Sequence, residues 1–241
     1  MTSTLAILGA AGAIGRALTA RALADGWSVV ALDLAASLAA HPPPDKAASV
    51  ALDLRDAASV GAAFAGLGPL GGFVNLAGFM SPHQPLADTA LDTFDEVITG
   101  NLRGAFIAAQ AALPRLREGG GAMVNVVSGL GGNPRPGFGP YAAAKAGMIS
   151  LTKTLALEAA PDVRVNAVGP SALNTAFLRG GAGRQETNPA PIDLDAMARA
   201  TPLGRIAVPA DVVGPIMFLL GPDASFMTGQ VLWVNGGGYM P

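Results

Sequence analysis

Seven short runs of Val, Ile, Leu and Ala, alternating with longer Ala/Leu-rich stretches, constrain this chain more than anything else in it. The runs are Leu5–Leu8, Ser28–Leu32, Ala48–Leu52, Gly72–Leu76, Ala122–Val127, Arg164–Ala167 and Gln230–Val234. Few of them alternate apolar with polar residues. Strands of that kind are buried on both faces, as in a parallel sheet between two helical layers. Helical patterns lie near Ala13–Asp25, Asp56–Ala65, Leu91–Glu118, Tyr141–Ala159 and Pro209–Leu220, with Asp56 and Asp211 as helix-start residues. Strand–helix–strand alternation with right-handed crossovers predicts an α/β fold: a single-domain, doubly wound, Rossmann-like parallel sheet of about seven strands with helices on both faces. A length of 241 residues suits one such domain over residues 1–241, and a hydrophobic content of 51% fills its core. Residues 175–205 break the pattern. They hold Gly180, Gly181, Gly183, Pro189 and Pro191, and a flexible substrate lid is expected there.

Several function classes drop out early. The chain has no cysteine, so disulfides, thiolate metal sites and thiol catalysis are excluded. Its only histidines, His41 and His83, sit in Pro-rich stretches, and no metal site is expected. A net charge of −2 with no basic cluster argues against nucleic acid and anionic lipid as partners. No run of 18 apolar residues is present, so no membrane span is expected. The amino terminus lacks the positive flank of a signal segment, and the expected location is the cytoplasm.

The first run leads into Gly9-Ala10-Ala11-Gly12-Ala13-Ile14-Gly15. Glycines at a strand-to-helix turn let a pyrophosphate approach the backbone, and the helix start offers free N–H groups. Gly9, Gly12, Ala13, Ile14 and Gly15 are therefore candidate nucleotide contacts. Asp33 closes the second run. A carboxylate there accepts hydrogen bonds from ribose hydroxyls and repels a 2′-phosphate, so NAD is favoured over NADP. Asp53, followed by Leu54, stands in the same way after the third run, placed to bond the adenine amino group.

Tyr141 and Lys145 carry the chemistry. Residues four apart on a helix share a face, so phenol and ammonium point into one cavity. At ~4 Å and an effective dielectric of ~20 the pair is worth roughly 4 kcal/mol, enough to bring the phenol near neutral pH as an acid and base. With only two tyrosines and three lysines in the chain, a chance pairing is uncommon. Ser128, upstream, supplies a neutral hydroxyl for a substrate oxygen.

In order and spacing these residues resemble the short-chain dehydrogenase/reductase family over essentially the whole chain. Asn75-Leu76-Ala77-Gly78 looks like the family's element after the fourth strand. Asn101 stands in the place of its catalytic asparagine, and Ser128, Tyr141 and Lys145 match the other catalytic positions. Val165-Asn166-Ala167-Val168-Gly169-Pro170, Pro202-Leu203-Gly204-Arg205 and Thr228-Gly229-Gln230 resemble later landmarks. Leu8, Ala13, Leu76, Val127 and Ser171 depart from the family's usual residues without removing a catalytic group.

The resemblance implies hydride transfer between NAD and a small secondary alcohol or ketone. It implies that Asn75, Ala77 and Gly78, backbone at Pro170 and Leu173, and the Thr175 hydroxyl hold the cofactor together with Tyr141 and Lys145. It also implies that Asn101 holds a relay water, and that the protein is a homo-oligomer, a dimer or a homotetramer, packed through the two long helices. Asn166 reads instead as a turn-stabilising amide. Gly129, Leu130, Phe138, Leu173, Phe177 and Leu178 are expected to line the substrate pocket, and Arg179 and Arg184 read as solvated lid arginines. Two other readings stay open: an NADPH-dependent reductase similar to the 3-oxoacyl-carrier-protein reductases, and a catalytically silent nucleotide sensor.

Overall fold

The computed structural model describes residues 3–179 and 193–241. All seven expected strands are present: β1 (Thr4–Leu8), β2 (Ser28–Asp33), β3 (Ala47–Ala51), β4 (Gly72–Asn75), β5 (Ala122–Val126), β6 (Arg164–Pro170) and β7 (Val231–Val234). They form one sheet in the order β3-β2-β1-β4-β5-β6-β7, parallel throughout. The strand order reverses between β1 and β4, which opens a crevice at the strands' C-terminal ends.

Strand periodicity divides the core in two. Leu5 and Ile7 point to one face, where Leu18 and Ala22 of α1 (Ala13–Ala24) and Val212, Ile216 and Leu219 cover them. Ala6 and Leu8 point to the other, against Val60 and Phe64 and the run from Ala108 to Leu116. Alternate residues of one strand thus serve both layers, which is why the strands read as unbroken apolar runs.

The helices follow the expected segments with three additions. α2 (Ala35–Ala40), α6 (Gly129–Gly132) and α8 (Leu194–Ala200) were not foreseen. α3 (Ala57–Ala65) begins at Asp56, whose carboxylate accepts from the Ala58 amide at 2.9 Å. The stretch from residue 91 is a composite: α4 (Leu91–Ile98), a π-helical turn (Thr99–Arg103), then α5 (Gly104–Gly119). α7 (Gly139–Ala159) starts with Pro140 in its first turn, and α9 is Pro209–Leu220. Asp211 stands in the first turn of α9, as expected of a helix-start residue, and its carboxylate reaches back to accept from the Val208 amide at 2.8 Å. The Arg205 guanidinium beside it holds its pKa near 2, below the ordinary carboxylate range.

The segment 175–205 is not patternless. It contains a 3₁₀ turn at Ala176–Arg179 and helix α8. Gly180, Gly181, Gly183, Arg184, Pro189 and Pro191 of the expected lid lie outside the described residues. Two polar groups, buried Asn166 and half-buried Arg164, lock the C-terminal strands. Asn166 donates to the Met227 carbonyl at 2.8 Å and accepts from the Gln230 amide at 3.0 Å, a structural amide as expected. Arg164 donates to the carbonyls of Leu219, Leu220, Gly221 and Ala224 at 2.8–3.3 Å, gripping the end of α9 where the helix dipole is negative.

Candidate active site

Every strand contributes its C-terminal end to one cavity of about 1110 Å³. Leu8, Asp33, Asp53, Leu76, Val126, Pro170 and Asn235 mark the seven contributions in chain order. Its size accommodates a dinucleotide and a small substrate together.

The nucleotide side is built from backbone. Gly9 has φ 85°, a left-handed conformation that favours glycine, and a side chain there would stand 2.9 Å from the Ala77 nitrogen. A Cβ on Gly15 would run into the Gly9 carbonyl and lie 2.6 Å from the Ala10 Cα, so the first turn of α1 packs directly on the loop. Gly12 caps α1 without any side-chain hydrogen bond, and Gly12, Ala13, Ile14 and Gly15 all line the cavity. The first N–H groups of α1 are therefore open to an anion, and the loop fits a pyrophosphate.

Asp33 does more than end β2. Its Oδ2 accepts from the Ala11 amide at 2.9 Å and its Oδ1 from the Leu34 amide at 2.8 Å, which ties the glycine loop to β2. Each carboxylate oxygen keeps a further lone pair for a ribose hydroxyl. Asp53 is not the free carboxylate the sequence suggests. Arg55 holds it at 2.6–3.1 Å and keeps its pKa below the ordinary range. Leu54 lines the cavity beside it and packs where a side chain on Gly104 would stand, with its Cβ 2.9 Å from that point.

The candidate catalytic side is built from side chains, with Tyr141 and Lys145 buried and Ser128 half-buried. Ser128 caps α6, its hydroxyl accepting from the Leu130 amide at 3.2 Å, and it also hydrogen-bonds Tyr141. Tyr141 and Lys145 lie on the first turns of α7 and are each 3% exposed. The Lys145 ammonium donates to the Val126 carbonyl at 3.0 Å and stands 5.7 Å from the centre of the Tyr141 ring.

This differs from the expected pair. Burial raises the Tyr141 pKa above its ordinary value, and only the Ser128 hydrogen bond works against it. Burial also lowers Lys145 to about 8. Helical spacing put the two residues on one face but did not fix the direction of the lysine head group. Its nearest partner is a strand carbonyl, and desolvation outweighs the mutual attraction.

Asn75 and Asn101 lie behind the cavity wall rather than on it, each 1% exposed. Asn75 accepts from the Ala77 amide at 3.1 Å, while its Nδ2 has no partner among the described residues. Asn101 occupies the π-helical turn, a device found at functional sites. Its amide bonds the backbone of Phe79 at 3.2 Å in both directions and the Val97 carbonyl at 3.0 Å. A side chain on Gly78 would strike Asn101 and come within 3.5 Å of the Lys145 nitrogen, so Gly78 lies where those two groups converge. Ala77, Gly78, Pro170, Leu173 and Thr175 all face the cavity.

The wall also includes residues that sequence reasoning missed. Met80, His83, Arg135, Met197, Asn235 and Tyr239 line the cavity as well. His83 packs edge-on against Phe138 at 4.9 Å and Tyr239 against Trp233 at 5.0 Å. Nothing local marks them, since loops distant in sequence converge only in the fold. Among the described residues no cluster of three metal-ligating side chains is present, and no helix is long and apolar enough to cross a membrane.

Comparison with known proteins agrees with this geometry. A family model described as enoyl-(acyl carrier protein) reductase matches residues 9–239. The chain is 42% identical over 182 residues to 4-formylbenzenesulfonate dehydrogenase of Comamonas testosteroni, covering 75% of this chain and 71% of that one. It is 37% identical over 244 residues to cis-4-hydroxycyclohexanecarboxylate dehydrogenase of Sinomonas cyclohexanicum, covering 96% and 94%. The structure of a 3-ketoacyl-(acyl-carrier-protein) reductase from Brucella melitensis complexed with NADH superposes with a TM-score of 0.87 at 30% identity, over 99% of this chain and 98% of that one. With a matching family model across nearly its whole length and the sheet order, cavity and Ser128–Tyr141–Lys145 arrangement described above, the chain is an oxidoreductase that belongs to the short-chain dehydrogenase/reductase family.

Proposed function

We propose that the protein is an NAD-dependent dehydrogenase that interconverts a small secondary alcohol and its ketone, with residues 1–241 acting as one dinucleotide-binding and catalytic domain. The observation that carries this reading is the buried Tyr141 phenol beside Ser128, in the same cavity as an uncapped helix start and Asp33. The loop from Gly9 to Gly15 holds the pyrophosphate, and Asp33 receives the adenosine ribose. Asp53 and Leu54 border the adenine, with the Asp53 carboxylate shared with Arg55. Asn75 braces Ala77 and Gly78 behind the nicotinamide, and Pro170, Leu173 and Thr175 close over it.

The bound nicotinamide supplies the hydride acceptor or donor. Tyr141 takes the alcohol proton in oxidation and returns it in reduction. Ser128 steadies the substrate oxygen as its charge changes. At neutral pH Lys145 is mainly protonated, so its charge is available to favour the phenolate against the cost of burial. Asn101 keeps one carbonyl lone pair free for a water between Lys145 and solvent.

NAD is supported by Asp33 and by the NADH in the Brucella melitensis relative. A second reading, reduction of a 3-oxoacyl-carrier-protein thioester with NADPH, draws on that relative's name; the Asp33 carboxylate weighs against the 2′-phosphate it needs. The nucleotide-sensor reading requires that Asn101, Ser128, Tyr141 and Lys145 be kept together without use. A homo-oligomer, dimer or tetramer, is part of the proposal. Phe106 of α5 and Leu157 of α7 are 50% and 81% exposed, and light scattering of the purified protein tests whether a second copy covers them.

The deciding experiment is turnover of a panel of secondary alcohols and ketones with NAD(H) and NADP(H) side by side, for the native protein and Tyr141→Phe. Turnover is expected with NAD(H), falling about 10²–10⁴-fold in the variant while NADH binding is retained. Near-native turnover by Tyr141→Phe would falsify the mechanism.

A further inference from the structure

The charges on the cavity wall are segregated. Among the described residues the carboxylates that line it are Asp33, Asp53 and Glu96. Asp33 ends β2 and Asp53 follows β3, at one edge of the sheet, and Glu96 lies close enough to Arg55 to influence it. Over β5, β6 and β7 the lining contains no carboxylate among the described residues. There, among the described residues, the wall carries an apolar group of Leu130, Phe138, Phe177 and Met197 beside neutral polar side chains such as Asn133 and Thr201, and it includes one guanidinium, that of Arg135.

Arg135 is set apart from the other cavity cations. Arg55 is paired with Asp53, and Lys145 is buried on the Val126 carbonyl. The Arg135 side chain is exposed at the rim and has no hydrogen-bond or ion-pair partner among the described residues. Its loop is stiff. Pro134 and Pro136 flank it and restrict the backbone, and the Gln84 amide donates to the Gly137 carbonyl at 3.0 Å. That loop runs between the two residues assigned to the reacting oxygen, Ser128 and Tyr141, so both of its ends are anchored at the chemistry.

We propose that Arg135 is the anion-recognising subsite of the substrate pocket, and that the substrate is a compact alcohol or ketone bearing a carboxylate or sulfonate remote from the reacting carbon. The inference rests on the reading of Ser128 and Tyr141 as the reacting pair. A planar guanidinium pairs with two oxygens of such a group at once, and an apolar stretch of wall holds the skeleton between. A pre-positioned loop reduces the ordering cost of the contact.

The test separates binding from turnover. Calorimetry on the NADH-loaded protein compares cyclohexanecarboxylate with cyclohexanecarboxamide. The carboxylate is expected to bind at least about tenfold more tightly, the lower end of what a charge-assisted hydrogen bond contributes. Arg135→Gln is expected to abolish that difference, whereas Lys153→Gln, a cation outside the cavity wall, retains it. Equal affinities, a preference that survives Arg135→Gln, or no measurable binding of either compound overturns the proposal. Turnover of 4-oxocyclohexanecarboxylate is measured in parallel. A carboxylate preference lost in Arg135→Gln, with no turnover by any nicotinamide, upholds the subsite and removes the proposed reaction instead.

Discussion

The glycine loop and the Tyr141 site face one another across a single cavity, and they are made by opposite means. The loop works by lacking side chains: Gly9 and Gly15 let the chain fold back on itself and leave the amides of α1 exposed. The catalytic side works by burying side chains that water would otherwise hold, a phenol and an ammonium each 3% exposed. In the loop, what favours the fold also favours the ligand. At Tyr141 and Lys145 the fold opposes the charge that the chemistry requires. Binding geometry therefore comes without a stability penalty, whereas acid–base chemistry is held in place by the rest of the packing.

The largest test of that contrast is Lys145→Met. Activity is expected to fall about 10²–10⁴-fold in steady-state assays, with the fold retained by circular dichroism. A variant that loses its fold instead would show that the buried ammonium supports the structure, and the contrast would collapse. Gly15→Ala is next. Its Cβ meets loop backbone rather than a flexible side chain, so thermal unfolding is expected to show a loss of about 1–3 kcal/mol and NADH titration a weaker affinity, the two moving together.

A third test uses pH. Lys145 has a folded pKa of about 8 against an ordinary 10.5, so in that interval the unfolded chain holds more protons than the folded one. Stability of the ligand-free protein is therefore expected to gain from this group as pH rises from about 8, and Lys145→Met removes the gain. Tyr141 acts with the opposite sign, but only from its ordinary value of 10 upward, because its folded pKa is raised. Melting curves between pH 8 and 10 therefore isolate the lysine. The smallest effect is that of Asp33→Asn, which leaves an acceptor for the Ala11 amide but removes the charge; the NAD/NADP preference is expected to narrow about tenfold in side-by-side kinetics.

The same contrast explains what could be read from the chain. Strands buried on both faces announce themselves, because Leu5 and Ile7 serve one layer and Ala6 and Leu8 the other. The start of α3 is written in Asp56, and the glycine loop in its spacing. The short helices left no such mark. α6 has three glycines in four residues, a composition that outweighs the local signal of its Ser128 cap, and packing on α7 helps to hold it. The π-helical turn at Asn101 is silent as well. Spacing placed Tyr141 and Lys145 together but not the ammonium against Val126, since a four-carbon arm has many directions. Arg135 and Tyr239 reach the cavity from loops that no periodicity connects to it.

The strand order has a consequence for how such a chain is made. With the sheet arranged β3-β2-β1-β4-β5-β6-β7, the first three strands pair in order of synthesis at one edge, β4 then returns to pair with β1, and β5, β6 and β7 are each laid against the strand made just before. Each strand emerging from the ribosome therefore finds at least one neighbour already made, although the second edge of β1 waits until β4 is synthesised. Parallel pairing is slow because each contact closes a long loop, and here the longest wait falls at the β1–β4 junction, where the crevice opens.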